Sequence, residues 1–167
     1  MFMRWFRALA TLSVGAWLGG MILIAIAAQT TFEVMRTLGV ATPDAFAGRI
    51  MAVEFVRFDK MQFICAALLV AYQIAQTIIG PRTGRDIFRF VLIVLACGFL
   101  CYSAFVVTPK ILGMQDEVAG TTDEALRATF DAIHETSVLM AKLTMLVVLL
   151  IGFELALPRR KPAADKA

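Results

Sequence analysis

The sequence predicts an all-α membrane protein, a four-helix up-down transmembrane bundle with helical extensions on its outer side. Three observations lead there. The chain of 167 residues is 60% hydrophobic and only 17% charged, with a mean hydropathy of +0.79, far more apolar than a soluble domain. Its charges are segregated, leaving four nearly uncharged runs close to the ~20 residues that carry a helix across a bilayer. Its lysines and arginines are also unevenly divided between the two sides those runs would define.

The first run covers about residues 8–28 and follows Arg4 and Arg7. A basic start, an apolar middle and the small-residue site Ala25-Ile26-Ala27 also describe a signal peptide. The run is longer than the usual signal core, and Gly15-Ala16-Trp17-Leu18-Gly19 is a GxxxG suited to close helix packing. Both favour a retained helix. A connection from Gln29 to Asp59 follows, and Thr42-Pro43-Asp44 predicts a turn and helix start within it. The charges Arg49, Glu54, Arg57, Asp59 and Lys60 are not confined to one helical face, so this segment cannot lie in lipid. It reads as a helical extension of the second span, or as an interfacial helix joined to it.

The second span covers about residues 61–79 and stops at Gly80-Pro81. Ala67, Ala71 and Ala75 form a small-residue stripe along it, while Gln73 and Gln76 face the bundle or the headgroups. After a basic loop (Arg82, Arg85 and Arg89), the third span covers about 90–107 and ends at Thr108-Pro109-Lys110. The connection from Ile111 to Asp131 is acidic, and Thr122-Asp123-Glu124 can cap a helix leading into Phe130 and His134. The fourth span covers about 137–157. Residues 1–158 are thus one transmembrane domain and residues 159–167 a basic tail.

Nine lysines and arginines fall on the side of the termini and second loop: Arg4, Arg7, Arg82, Arg85, Arg89, Arg159, Arg160, Lys161 and Lys166. Six fall on the other side, over longer connections: Arg36, Arg49, Arg57, Lys60, Lys110 and Arg127. Both termini are therefore expected in the cytoplasm of a plasma (bacterial inner) membrane, with the acidic third connection outside. The net charge of +3 flanks the spans rather than forming a stripe, which gives no case for nucleic acid. The expected partner is the lipid bilayer, with a homo-oligomer or a membrane partner as a further candidate.

Candidate chemistry centres on His134, the single histidine. Imidazole titrates near neutrality and ligates metals or haem; the plainer reading is an interfacial histidine bonded to a carbonyl or carboxylate. Bis-histidine haem and three-histidine zinc are excluded within one chain. His134, Ser137, Lys110, Arg49 and Glu54 are candidates for a polar site at the outer rim. Cys65 and Cys101 are expected at comparable depth, and Cys97 lies one turn from Cys101. With Met140 or Met145 these are candidate ligands for a soft ion such as Cu(I), although no CxxC, HxxxH or methionine repeat accompanies them. Lys142, roughly 8 Å into the last span at ~1.5 Å per residue, is either a functional intramembrane charge or a snorkelling one. Glu154 reaches water or pairs with Arg159 or Arg160. No GxSxG, Walker loop or paired-carboxylate motif supports an enzyme class.

Gly15-Ala16-Trp17-Leu18-Gly19, Phe32, Phe46-Ala47-Gly48-Arg49, Phe55, Phe58, Thr108-Pro109-Lys110, and the set Phe130, His134 and Ser137 follow one another along the chain. Taken together in that order, they make the chain one that resembles the transmembrane protein 205-like family of small four-helix membrane proteins. Members often carry Ala-Pro where this chain has Ala28-Gln29, and asparagine where it has Ala141. The resemblance implies a four-helix fold, a signature at Phe130, His134 and Ser137, and no assigned biochemistry. Three functions compete: a non-enzymatic protein acting by interaction, lipid contact or small-solute handling; a haem or copper protein using His134; and an oligomeric transporter subunit.

Overall fold

The computed structural model describes residues 2–39, 42–79 and 84–157. Among them every regular element is helical: α1 (Phe2–Thr37), α2 (Pro43–Ile79), α3 (Gly84–Tyr102), a π-helical turn (Ser103–Val107), α4 (Thr108–Gly120) and α5 (Glu124–Ala156). Four stretches are long and apolar enough to cross a membrane: Met3–Thr37, Pro43–Ile79, Gly84–Val118 and Glu124–Ala156. This is the pattern of a multi-pass membrane protein. The expected stop at Gly80-Pro81, loop residue Arg82 and the tail cations Arg159, Arg160, Lys161 and Lys166 lie outside the described residues.

The helices outrun the bilayer. At ~1.5 Å per residue, α1, α2 and α5, with 36, 37 and 33 residues, are about 50–55 Å long, against ~30 Å of hydrocarbon. The long connection expected from Gln29 to Asp59 is therefore mostly helix, and only a short turn separates α1 from α2. Gly39 supplies the positive φ of 67° that this turn needs. Pro43 opens α2, where its missing N–H is harmless, and Arg36 bridges to Asp44 at 2.9 Å. The charged segment beginning at Asp44 is continuous with the second span, one of the two arrangements expected for it.

The third span does not end at Thr108-Pro109-Lys110. Proline has no N–H and its ring crowds the carbonyl four residues back, here that of Phe105. The backbone answers by widening: the Thr108 N–H donates to the Ser103 carbonyl, five residues back, and Pro109 falls at the start of α4. The helix thus passes through the proline, and the acidic third connection shrinks to residues 121–123. Asp123 then caps α5 as expected, accepting from the backbone N–H groups of Ala125 (2.9 Å) and Leu126 (3.4 Å).

The core gathers Ala10, Val14 and Trp17 of α1, Cys65, Leu69 and Tyr72 of α2, Leu92, Ala96 and Leu100 of α3, and Val148, Ile151 and Leu155 of α5. It is not the expected small-residue core. Gly15 and Gly19 have nothing within 4 Å of where a Cβ would stand, and Ala67 and Ala71 are exposed. Residues two positions either side of an inward one lie about 200° away around a helix, since each step turns about 100°. Burying Trp17 therefore turns Gly15 and Gly19 outward, and burying Leu69 does the same to Ala67 and Ala71. Close approach between α1 and α2 occurs at Gly20, where a Cβ would stand 2.5 Å from Phe58 and 2.6 Å from Met61.

Gly20→Val should therefore overpack the α1–α2 contact and cost about 1–3 kcal/mol. Gly19→Ala, on the open face, should be neutral or stabilising by up to ~1 kcal/mol. Thermal unfolding in detergent reads both, and equal losses at the two glycines would contradict this packing.

Candidate functional site

The expected outer-rim residues are not brought together into one site among the described contacts. His134 is exposed and stacks on Phe130 one turn earlier, ring centroids 6.3 Å apart and nearly parallel. Arg49 bridges α2 to Asp116 of α4 at 3.0 Å, and Glu54 pairs with Arg57 on its own helix at 2.8 Å. Lys110 is exposed and Ser137 half-buried. Cys65 is buried in the core, Cys97 half-buried and Cys101 exposed, all three as free thiols. Among the described residues no group of three or more His, Cys, Asp or Glu side chains is placed to hold a metal ion. Lys142 is exposed on α5.

What the fold does assemble is a polar chain between α1, α2 and the π-helical turn. Trp17, fully buried, donates its indole Nε1–H to Gln62 Oε1 at 2.7 Å. Gln62, also buried, donates through Nε2 to Asp59 Oδ1 at 3.2 Å. The half-buried Asp59 carboxylate in turn takes a side-chain hydrogen bond from Thr108, which ends the π-helical turn. The indole can only donate and the carboxylate only accept, so the amide orientation follows from its neighbours. The two outer links tie different segments, Trp17 to α2 and Asp59 to the point where Pro109 widens the third span, while Gln62–Asp59 joins them within α2. The arrangement is a positioning network, and its carboxylate is the member able to gain a proton or face a cation. Single π-turns inside α-helices are frequent at functional sites.

A second polar cluster lies at the opposite end of the spans. Arg7 of α1 donates to the carbonyls of Leu155 and Leu157 at the end of α5. Arg85 of α3 bridges to Glu154 of α5 at 3.0 Å, while the partners expected for Glu154, Arg159 and Arg160, lie outside the described residues. Arg89 is buried; it pairs with Asp86 at 2.6 Å, donates to Gln73 Oε1 at 2.8 Å and lies over the Tyr72 ring. Gln73 also donates to the Asp86 carbonyl at 3.2 Å, joining the end of α2 to the start of α3. Gln73 and Gln76 are both buried, the inward of the two placements expected for them.

Of the residues that carry these clusters, Gln73, Gln76 and Glu154 stood out in the sequence, whereas Gln62 did not. A signal was present nonetheless: Gln62, Gln73 and Gln76 share the helical face of Leu69, an otherwise apolar inward face.

Gln62→Leu should leave the Trp17 indole N–H buried without a partner, at a cost of about 1–3 kcal/mol. Adding Trp17→Phe removes the orphaned donor, so the double variant should lose less than the sum of the singles. A double-mutant cycle by thermal unfolding reads that coupling; strict additivity would mean the bond contributes nothing.

No curated protein and no solved structure matches the chain. The profile of a family described as a domain of unknown function, DUF4149, matches residues 12–119. That match takes in Trp17, Asp59, Gln62 and Thr108, and leaves Phe130, His134 and Ser137 beyond its end. It covers well over half of the sequence, and the chain belongs to the DUF4149 family.

Proposed function

We propose that this chain is a non-enzymatic integral membrane protein that acts by contact with another membrane protein or a second copy of itself. In this reading it is a four-helix up-down bundle in the plasma (bacterial inner) membrane, with both termini cytoplasmic. Helical extensions stand on the outer side, and the likeness to transmembrane protein 205-like proteins describes its kin. The observation that carries the reading is the α1–α2 hairpin beyond the spans. Its large apolar side chains face outward, with Leu38 66%, Phe46 49% and Val53 52% exposed. They stand beside paired charges, Arg36–Asp44 and Arg49–Asp116, that exclude the hairpin from lipid. Apolar surface left beside water at ~25 cal/mol per Å² favours a covering partner.

A photo-crosslinking residue at Phe46, introduced in native membranes, should capture one discrete protein species, either the partner or a dimer of this chain. Lipid adducts alone would sink the interaction reading. Alkaline phosphatase fused within residues 121–123 should be active and the same enzyme at the C-terminus inactive; the reverse pattern overturns the orientation.

The alternative of a haem or copper protein rests on His134, whose ring is exposed and stacks on Phe130. Purified protein should show neither a Soret band nor stoichiometric copper. Either signal, if lost in His134→Ala, would replace the interaction reading with the metal one.

A further inference from the structure

Gln76 stands apart from every other buried polar side chain described. Ser13 and Thr144 return their hydroxyls to carbonyls one turn back on their own helices. Gln62 is held between Trp17 and Asp59. Gln73 and Arg89 satisfy each other, with Asp86 completing the set. Gln76 is 1% exposed, and neither its Nε2 nor its Oε1 meets a hydrogen-bond partner among the described residues. It lies one turn from Tyr72 and three residues from Gln73 on the same buried face. Both of those side chains touch the Arg89 guanidinium.

A buried primary amide with donor and acceptor both unpaired bears the full desolvation of both groups, and almost all buried polar atoms in folded proteins avoid it. A span surrounded by lipid has less relief to offer than a soluble core. The ligand that removes the penalty must both donate and accept, and must be small enough to be enclosed beside Tyr72. Water meets that description, and internal waters characteristically satisfy two to four such groups. The position suits access as well, because Gln76 is within one turn of the end of α2, at the basic end of the bundle.

We propose that Gln76, which shares the buried face of α2 with Tyr72 and Gln73, holds internal water in the basic end of the bundle. The site goes beyond the interaction reading, since it lies at the other end of the spans from the outward-facing hairpin. It makes that end a hydrated site within the transmembrane region, with Leu69 and Cys65 buried farther along the same face of α2.

X-ray hydroxyl-radical footprinting of the intact protein in detergent, with ¹⁸O-labelled water, tests the site. Radicals formed from a bound water should label Tyr72 with ¹⁸O although its side chain is 2% exposed. That labelling should fall at least several-fold in Gln76→Leu. A wild-type Tyr72 that stays unlabelled overturns the proposal without any variant. The sign of the stability change is the second arm. Gln76→Leu should lower the midpoint of thermal unfolding if the amide is hydrated. A raised midpoint would show an amide buried dry, relieved by an apolar side chain, and would overturn the proposal. Failure here leaves the hairpin reading standing, because crosslinking at Phe46 does not pass through Gln76.

Discussion

The hydrogen bond from Trp17 to Gln62 organises the rest of the fold. In water, burial of a large ring would decide which face of α1 turns inward. In a bilayer the surroundings are as apolar as the core, so hydrophobicity hardly distinguishes one rotation of a helix from another. The indole N–H does, because leaving it against lipid without an acceptor costs about 1–3 kcal/mol. Once Trp17 meets Gln62, the rotation of α1 and its register on α2 are both set. Gly20 then lies against Phe58 and Met61, and Gly15 and Gly19 face outward.

The same logic explains why the polar residues sit at two levels. At one end, Gln62 leads on to Asp59 and Thr108, where Pro109 forces the π-helical turn. At the other, Arg85 meets Glu154, and Arg89 meets Asp86, Gln73 and the Tyr72 ring. Between them the inward face of α2 is Cys65, Ala66 and Leu69. A buried ion pair such as Arg89–Asp86 adds little net stability, but removing one partner alone leaves an uncompensated charge. Such pairs therefore act mainly to hold helix ends in one arrangement.

Much of the architecture was legible in the residues. The four apolar runs, the start of α2 at Thr42-Pro43-Asp44 and the Asp123 cap of α5 follow from hydropathy and capping chemistry, which are local. Two local rules failed where tertiary context outweighed them. Thr108-Pro109 reads as a helix end, yet α4 continues beyond it, because one π-turn accommodates the proline and Thr108 gains Asp59 as a partner. The GxxxG at Gly15 and Gly19 reads as a packing face, yet Trp17 between them takes the interior. His134 drew notice by being alone of its type, whereas the glutamines that organise the interior are common residues without a motif.

By itself, then, the sequence determined the class of the protein: how many helices can cross a membrane, where charge forbids lipid, and where local chemistry starts a helix. Those properties depend on residues within a turn or two of one another. Only the tertiary structure decided which faces turn inward, that Glu154 answers to Arg85, and that Trp17, Gln62, Asp59 and Thr108 form one chain. These partners are separated by up to 69 positions in sequence, and their pairing depends on helix rotation, which hydropathy in an apolar solvent does not encode.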